Sequence, residues 1–329
     1  MKYLIKFIKI IGGFLAIAII AILLFFGHRD IPFIYLKTKY TNEASSFISI
    51  DGMNVHYRDE GNQQDTIPIV LIHGTASSLH TFDAWANRLK ITNRVIRMDL
   101  PAYGLTGPFP DRNYSIQHYT EFIKTFLDAI KVKQCILAGN SLGGEIAWNF
   151  AVAQPKMVEK LILIDAAGYR QISKSVPVAF KIGQTPVLNK ILTYITPHFI
   201  VQASVENIYF DKSKVTPDLV DRYYELTLRE GNRQAFVDRF TIEKDTSAYK
   251  NIKTIKQPTL ILWGSEDLLI PLENATKFHK DLPHNSLAII QNTGHTPMEE
   301  SPIESLKPVL QFLKKDLSSN KKFKKGLKV

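Results

Sequence analysis

Short, mostly apolar runs recur along this chain: Ile69-Val70-Leu71-Ile72, Cys135-Ile136-Leu137-Ala138, residues 160–164 (apolar after Lys160) and Thr259-Leu260-Ile261-Leu262. Runs of this length without alternation suit strands buried on both faces of a parallel sheet. Residues 94–98 and 287–290 predict two more strands. Between the runs, apolar residues fall at three- and four-residue spacing, which predicts helices over 81–89, 115–130 and 142–153. Residues 47–50 and 54–58 flank Asp51-Gly52 and predict an opening hairpin. Strand and helix in alternation imply an α/β fold, a mostly parallel sheet with helices on both faces.

That rhythm stops between residues 168 and 256. Pro177, Pro186, Pro197 and Pro217 punctuate short helical stretches at 178–182, 187–195 and 219–229. The interval is too long for a simple crossover, so we expect a helical cap at 168–256, inserted after the sixth strand. The core then occupies 45–167 and 257–315. Most of the cap's aromatic and aliphatic residues (Phe180, Tyr194, Phe199, Ile208, Tyr209, Phe210) are needed to pack it, and some are expected to line a pocket.

Residues 10–27 carry no charge and are dominated by Ile, Leu, Phe and Ala. As a helix they span about 27 Å, close to the hydrocarbon thickness of a bilayer. A transmembrane anchor is expected in preference to a cleaved signal peptide. A cut after Ala16-Ile17-Ala18 would leave an apolar stub ending at Phe26, and no small-residue site follows. Lys2, Lys6 and Lys9 precede the segment, so a cytoplasmic basic N-terminus (1–9) and an exported, periplasmic catalytic body are expected. Arg29, Lys37 and Lys39 pull the other way. Residues 28–44 are expected to be a linker and 316–329 a basic tail.

The net charge of +10 changes this picture little. Its surplus sits at the two ends, +5 over residues 1–39 and +6 over residues 314–329 with their seven lysines, and the body between sums to −1. A nucleic-acid groove is therefore not implied. The single Cys135 excludes an internal disulfide, and no Cys or His cluster has metal-ligand spacing. No metal or other cofactor is expected.

Candidate chemistry centres on Gly139-Asn140-Ser141-Leu142-Gly143-Gly144, which joins an apolar strand to a helix. A Gly-x-Ser-x-Gly turn at such a junction lifts the serine hydroxyl above the sheet edge, with a helix N-terminus behind it. Downstream, the strand at 259–262 leads into Trp263-Gly264-Ser265-Glu266-Asp267, and the strand at 287–290 into Gln291-Asn292-Thr293-Gly294-His295. Upstream, the strand at 69–72 runs into His73-Gly74-Thr75. Asp165 also ends a strand and is a rival acid, but it precedes Ala166-Ala167-Gly168 and is expected to shape that turn.

These motifs, with Asp99-Leu100-Pro101-Ala102-Tyr103-Gly104, resemble the α/β-hydrolase superfamily in its capped serine-hydrolase branch, over about residues 45–315. Ala102 departs from the glycine common at that place. The resemblance implies a triad of Ser141, Asp267 and His295, in the chain order of that fold. It implies an oxyanion hole from the N–H groups of Thr75 and Leu142, supported by His73, Gly74, Gly139, Asn140 and Gly143, with His73 bracing its loop. Carboxylesterase or lipase chemistry on small or lipid-like esters is the implied activity, with no cofactor. A carbon–carbon hydrolase of the meta-cleavage type is the alternative, since Asn140 matches that branch and Arg233 could bind a carboxylate. Against it, no glycine-rich run follows His73-Gly74, and Thr296 follows His295 where that branch has tryptophan. A non-catalytic binding protein on this fold is the alternative of another class.

Overall fold

The apolar runs become the centre of one eight-stranded sheet in a computed structural model, which describes residues 29–170, 172–243 and 245–314 with residues 3, 5–7, 9–13 and 27. The strands are β1 (Ser45–Ile50), β2 (Met53–Gly61), β3 (Ile69–Ile72), β4 (Arg94–Met98), β5 (Cys135–Asn140), β6 (Val158–Ile164), β7 (Thr259–Gly264) and β8 (Asn285–Ile290). Their order is β1-β2-β4-β3-β5-β6-β7-β8. Only the β1–β2 and β2–β4 pairs are antiparallel. The expected hairpin is therefore the sheet's edge, and all strands from β4 onward run the same way. Their carboxyl ends converge on one edge, where ligands of open α/β sheets bind.

Two apolar layers hold the sheet. On one face, Phe122 and Phe126 of α3 (Ile116–Ala129), Trp148 of α4 (Leu142–Ala153) and Phe278 of α10 (Glu273–Asp281) are buried together. On the other, Trp85 and Leu89 of α2 (Asp83–Leu89) meet Val309 and Phe312 of α12 (Pro302–Lys314). Trp85 Nε1 donates to Ser305 Oγ at 3.0 Å, so the one polar atom of that ring is satisfied within the layer. The expected helix at 81–89 is shorter, because its first turn is the 3₁₀ segment Leu79–Phe82.

Among the described residues of 168–256 there are five short α-helices, two of them (His198–Ile208 and Asn232–Thr241) outside the stretches named from the sequence. They are α5 (Val178–Gln184), α6 (Leu188–Leu192), α7 (His198–Ile208), α8 (Pro217–Thr227) and α9 (Asn232–Thr241). Pro217 stands in the first turn of α8 and Thr216 Oγ1 caps it by accepting the Leu219 N–H at 3.2 Å. The cap's own core includes Val201, Val205, Tyr209 and Tyr223, all buried.

The expected linker at 28–44 is not a loose tether. It holds α1 (Phe33–Tyr40), whose Leu36 and Tyr40 are buried with Leu105 and Leu226 of the cap. Ile31 donates its N–H to Leu228 O at 2.7 Å, and Lys39 Nζ pairs with Glu225 at 2.7 Å. Among the described residues, no helix is long and apolar enough to cross a membrane. The expected anchor falls largely outside them, since residues 14–26 are not described, and so does the tail at 316–329.

Candidate active site

Ser141 stands where β5 ends and α4 begins, at φ 55° and ψ −116°. This backbone conformation is costly for a residue with a Cβ and persists only when its surroundings enforce it. Three bonds do so. The Ser141 N–H donates to Ile164 O at 3.0 Å, and Ser141 O accepts from Glu145 N–H at 3.0 Å and Ala167 N–H at 3.1 Å. The packing also explains two glycines. A Cβ on Gly143 would lie 2.2 Å from Ile72 O, so α4 can reach the sheet only without one. A Cβ on Gly74 would stand 3.0 Å from Ser141 Cβ, so the loop after β3 leans directly on the serine.

Beside the serine, the loops after β7 and β8 bring Asp267 and His295 together. His295 Nδ1 lies 2.7 Å from Asp267 Oδ2, and both side chains are almost fully buried. Asp267 Oδ1 accepts the N–H groups of Leu269 at 2.8 Å and Ile270 at 2.9 Å, which fixes the carboxylate's plane. His295 Nε2 is buried without a hydrogen-bonding partner, while His295 and Ser141 line the same cavity. An imidazole whose Nδ1 is held by an acid and whose Nε2 is left open is the arrangement of a general base. Asn140 Nδ2 donates to His295 O at 3.0 Å and Ile164 O at 3.2 Å, tying the serine's strand to the histidine's loop.

The N–H groups of Thr75 and Leu142 donate to no protein acceptor among the described residues. They stand in the loop leaning on Ser141 and in the first residue of α4. His73 spends both ring nitrogens on backbone: Nδ1 donates to Gly74 O at 2.8 Å and Nε2 accepts from Leu100 N–H at 2.9 Å. Burial lowers its pKa and keeps it neutral, as those two roles require. It braces the loop and has no ring nitrogen left for a substrate. Ala102 takes φ 86°, so the loop keeps the left-handed turn that a glycine would adopt more cheaply.

The cavity measures about 890 Å³ including its open mouth. Phe180, Leu192, Val201 and Val205 of the cap make much of its wall, which is overwhelmingly apolar. Arg233 also lines it, but Asp30 holds the guanidinium through bonds of 2.9 and 2.7 Å. Asp165, Asp267 and His295 form a group of three possible metal ligands, with donor atoms within 4.8 Å of one another. Asp267 is already committed to His295 Nδ1 and to two backbone N–H groups.

Sequence reasoning did not anticipate Glu300, in α11 (Pro297–Glu300). Its Oε2 accepts the Gly294 N–H at 2.7 Å, and its Oε1 accepts those of Phe210 at 3.1 Å and Asp211 at 2.8 Å. The His295 N–H in turn donates to Ile208 O at 2.8 Å. The histidine loop is therefore stitched to the end of α7 in the cap. The one available signal was an acidic pair, Glu299-Glu300, a few residues after His295.

A serine on a strand–helix elbow, with an acid and a histidine from the loops after β7 and β8, is the arrangement of a hydrolase built on an α/β sheet. The chain belongs to the alpha/beta hydrolase fold family, whose sequence model matches residues 67–302. An uncharacterized hydrolase of Bacillus subtilis, YugF, is 27% identical over 269 residues, covering 81% of this chain and 96% of that protein. The 2-hydroxy-6-oxo-2,4-heptadienoate hydrolase of Pseudomonas putida is 26% identical over 288 residues, covering 84% of this chain and 98% of that protein. Among solved structures, a membrane phospholipase A described as a bacterial virulence factor superposes with a TM-score of 0.70 at 25% identity, covering 93% of this chain and 97% of that one.

Proposed function

We propose that this hydrolase cleaves carboxylic esters with an apolar, lipid-like acyl group through an acyl-enzyme on Ser141. His295, oriented by Asp267, takes the Ser141 proton as Oγ attacks the carbonyl carbon. The tetrahedral oxyanion is held by the N–H groups of Thr75 and Leu142. His295 then protonates the departing alcohol, and water releases the acid by the same steps in reverse. The observation that carries this reading is the buried Asp267–His295 pair, with its unpartnered Nε2 in the apolar cavity that Ser141 also lines. The cavity's apolar wall and the likeness to a membrane phospholipase A support a lipid-like ester.

Residues 10–27 are proposed to anchor the chain in a membrane, with the body on the exported, periplasmic side. Their uncharged sequence and the lysines before them support this. A second reading, hydrolysis of a carbon–carbon bond in an acid-bearing substrate, is favoured by Arg233 in the cavity wall and by the Pseudomonas putida relative. The Asp30 carboxylate already on Arg233 weighs against it.

The test is hydrolysis of p-nitrophenyl esters of increasing chain length beside Ser141→Ala. We expect activity that rises with chain length and drops about 10⁴-fold or more in the variant, together with fluorophosphonate labelling. A labelled wild type that cleaves no ester at any length would reject the ester reading and leave the carbon–carbon one.

A further inference from the structure

Asp165 follows the last residue of β6 and is fully buried, at φ 43°. Its Oδ1 accepts the Gly264 N–H at 3.0 Å, whereas its Oδ2 is buried without any hydrogen-bonding partner. One of its carboxyl oxygens lies within 4.8 Å of both an Asp267 oxygen and a His295 ring nitrogen. Two carboxyl groups and one imidazole thus share a buried space, and their surroundings are unequal. Asp267 receives three N–H groups, two from backbone and one from His295. Asp165 receives one.

Like charges this close in a buried site do not both persist, and the less solvated carboxyl keeps its proton. The titratable neighbours acting on Asp165 point the same way. Burial and the charge of Asp267 push its pKa well above the usual carboxylate range, Glu300 of α11 adds to this, and only the Gly264 N–H opposes them. A proton on Oδ2 also gives the orphaned oxygen a use, because a carboxylic acid donates where a carboxylate cannot.

We infer that Asp165 is a positioning residue of the triad, a neutral acid whose Oδ2–H faces Asp267 and completes a chain from Asp165 through Asp267 to His295. The inference rests on the proposed triad. Asp165 touches no reacting atom, and its proton stays in place through the cycle. Its effect is to hold the Asp267 carboxylate square to the imidazole while that ring gains and loses a proton.

The experiment compares Asp165→Asn and Asp165→Leu in the full chain, with Ser141→Ala as blank, reading kcat, KM, the acid side of the kcat/KM–pH profile and Tm. An amide is the isostere of a protonated acid: its oxygen accepts from Gly264 and its Nδ2–H donates toward Asp267. Asp165→Asn is expected to keep kcat/KM within about threefold, with the acid-side midpoint unmoved. Asp165→Leu is expected to lose about tenfold or more in kcat at nearly unchanged KM. Were Asp165 charged in the resting enzyme, Asp165→Asn would delete a negative charge beside the imidazole and move the acid-side midpoint down by about one pH unit or more. That shift would overturn the inference, as would a folded Asp165→Asn as impaired as Asp165→Leu, or a folded Asp165→Leu as active as wild type. A wild type whose Ser141 takes no fluorophosphonate label fails earlier, and the triad reading falls with the inference.

Discussion

His80 lies in the 3₁₀ segment Leu79–Phe82, against Ser78 Oγ, Tyr40 O and the Arg58 guanidinium. Burial, reinforced by Arg58 and opposed by Asp99 and Asp83, pushes its pKa down to about 4. The unfolded chain, with an ordinary histidine near 6.5, takes up a proton more readily than the folded one. The stability this neutral ring contributes is complete above that ordinary value and is lost as pH falls from about 6.5 to about 4. It is on the order of 3 kcal/mol. Asp99 answers in a lower window. Although burial works against it, the His56 ring at 2.8 Å holds its carboxyl below the usual range, so its contribution persists above about 4 and fades only beneath that. Urea midpoints taken from pH 7.5 to 4.5 should fall steeply for wild type and much less for His80→Gln. Equal slopes in the two proteins would remove His80 from this role. None of this was legible in the sequence, where His80 is one of nine histidines with nothing to mark it.

At the scale of elements, the histidine loop, α11 and the end of α7 act as one unit through Glu300. Its carboxylate serves three backbone N–H groups drawn from the core and from the cap. Glu300→Ala leaves those donors buried and unpaired, a cost of about 2–4 kcal/mol, and frees the loop that aims His295. We expect a Tm several degrees lower and a kcat reduced about tenfold or more, measured on the same preparation. A kcat equal to that of wild type would show that the stitching does not govern His295. The strands were legible because a buried parallel strand writes itself as an unbroken apolar run, as in Ile69-Val70-Leu71-Ile72. The elbow and the strand-end positions of Asp267 and His295 were legible for the same reason. The cap was less so. The unexpected helices are α7 and α9. In α9, Asn232, Arg233 and Arg239 are buried beside Ala235 and Phe236, so its polar and apolar positions do not separate into two faces, and Pro197 marks where α7 begins without saying how far it runs. The docking of α1 depends on contacts between Leu36, Tyr40 and residues far along the chain, which local pattern does not encode.

Across the whole molecule, the cap shows solvent an apolar stripe: Val187, Leu188, Ile191 and Tyr194 are all exposed, Val187 by 74%. Ile195, just beyond, forms a β-bridge with Gly27, the last residue of the proposed anchor. Should the proposed anchor sit in a bilayer, we expect the stripe to face lipid, on the same short helix whose Leu192 lines the cavity. In phosphatidylglycerol–phosphatidylcholine vesicles, the full chain carrying Leu188→Ser and Ile191→Ser is expected to lose about fivefold or more on a membrane-embedded long-chain ester. Its rate on a soluble short-chain ester should be unchanged. Equal loss on both substrates would mean that the stripe supports the fold rather than a surface. The segment around Asp30 and Ile31 carries a mechanical corollary. It is bonded to Leu228 and Arg233, both of the cap, so a pull applied at the amino end is borne by the cap before the sheet feels it. Among the described residues, the Asp30–Arg233 ion pair takes that load first and holds an arginine in the wall of the cavity, so tension on the proposed anchor would be felt in that wall.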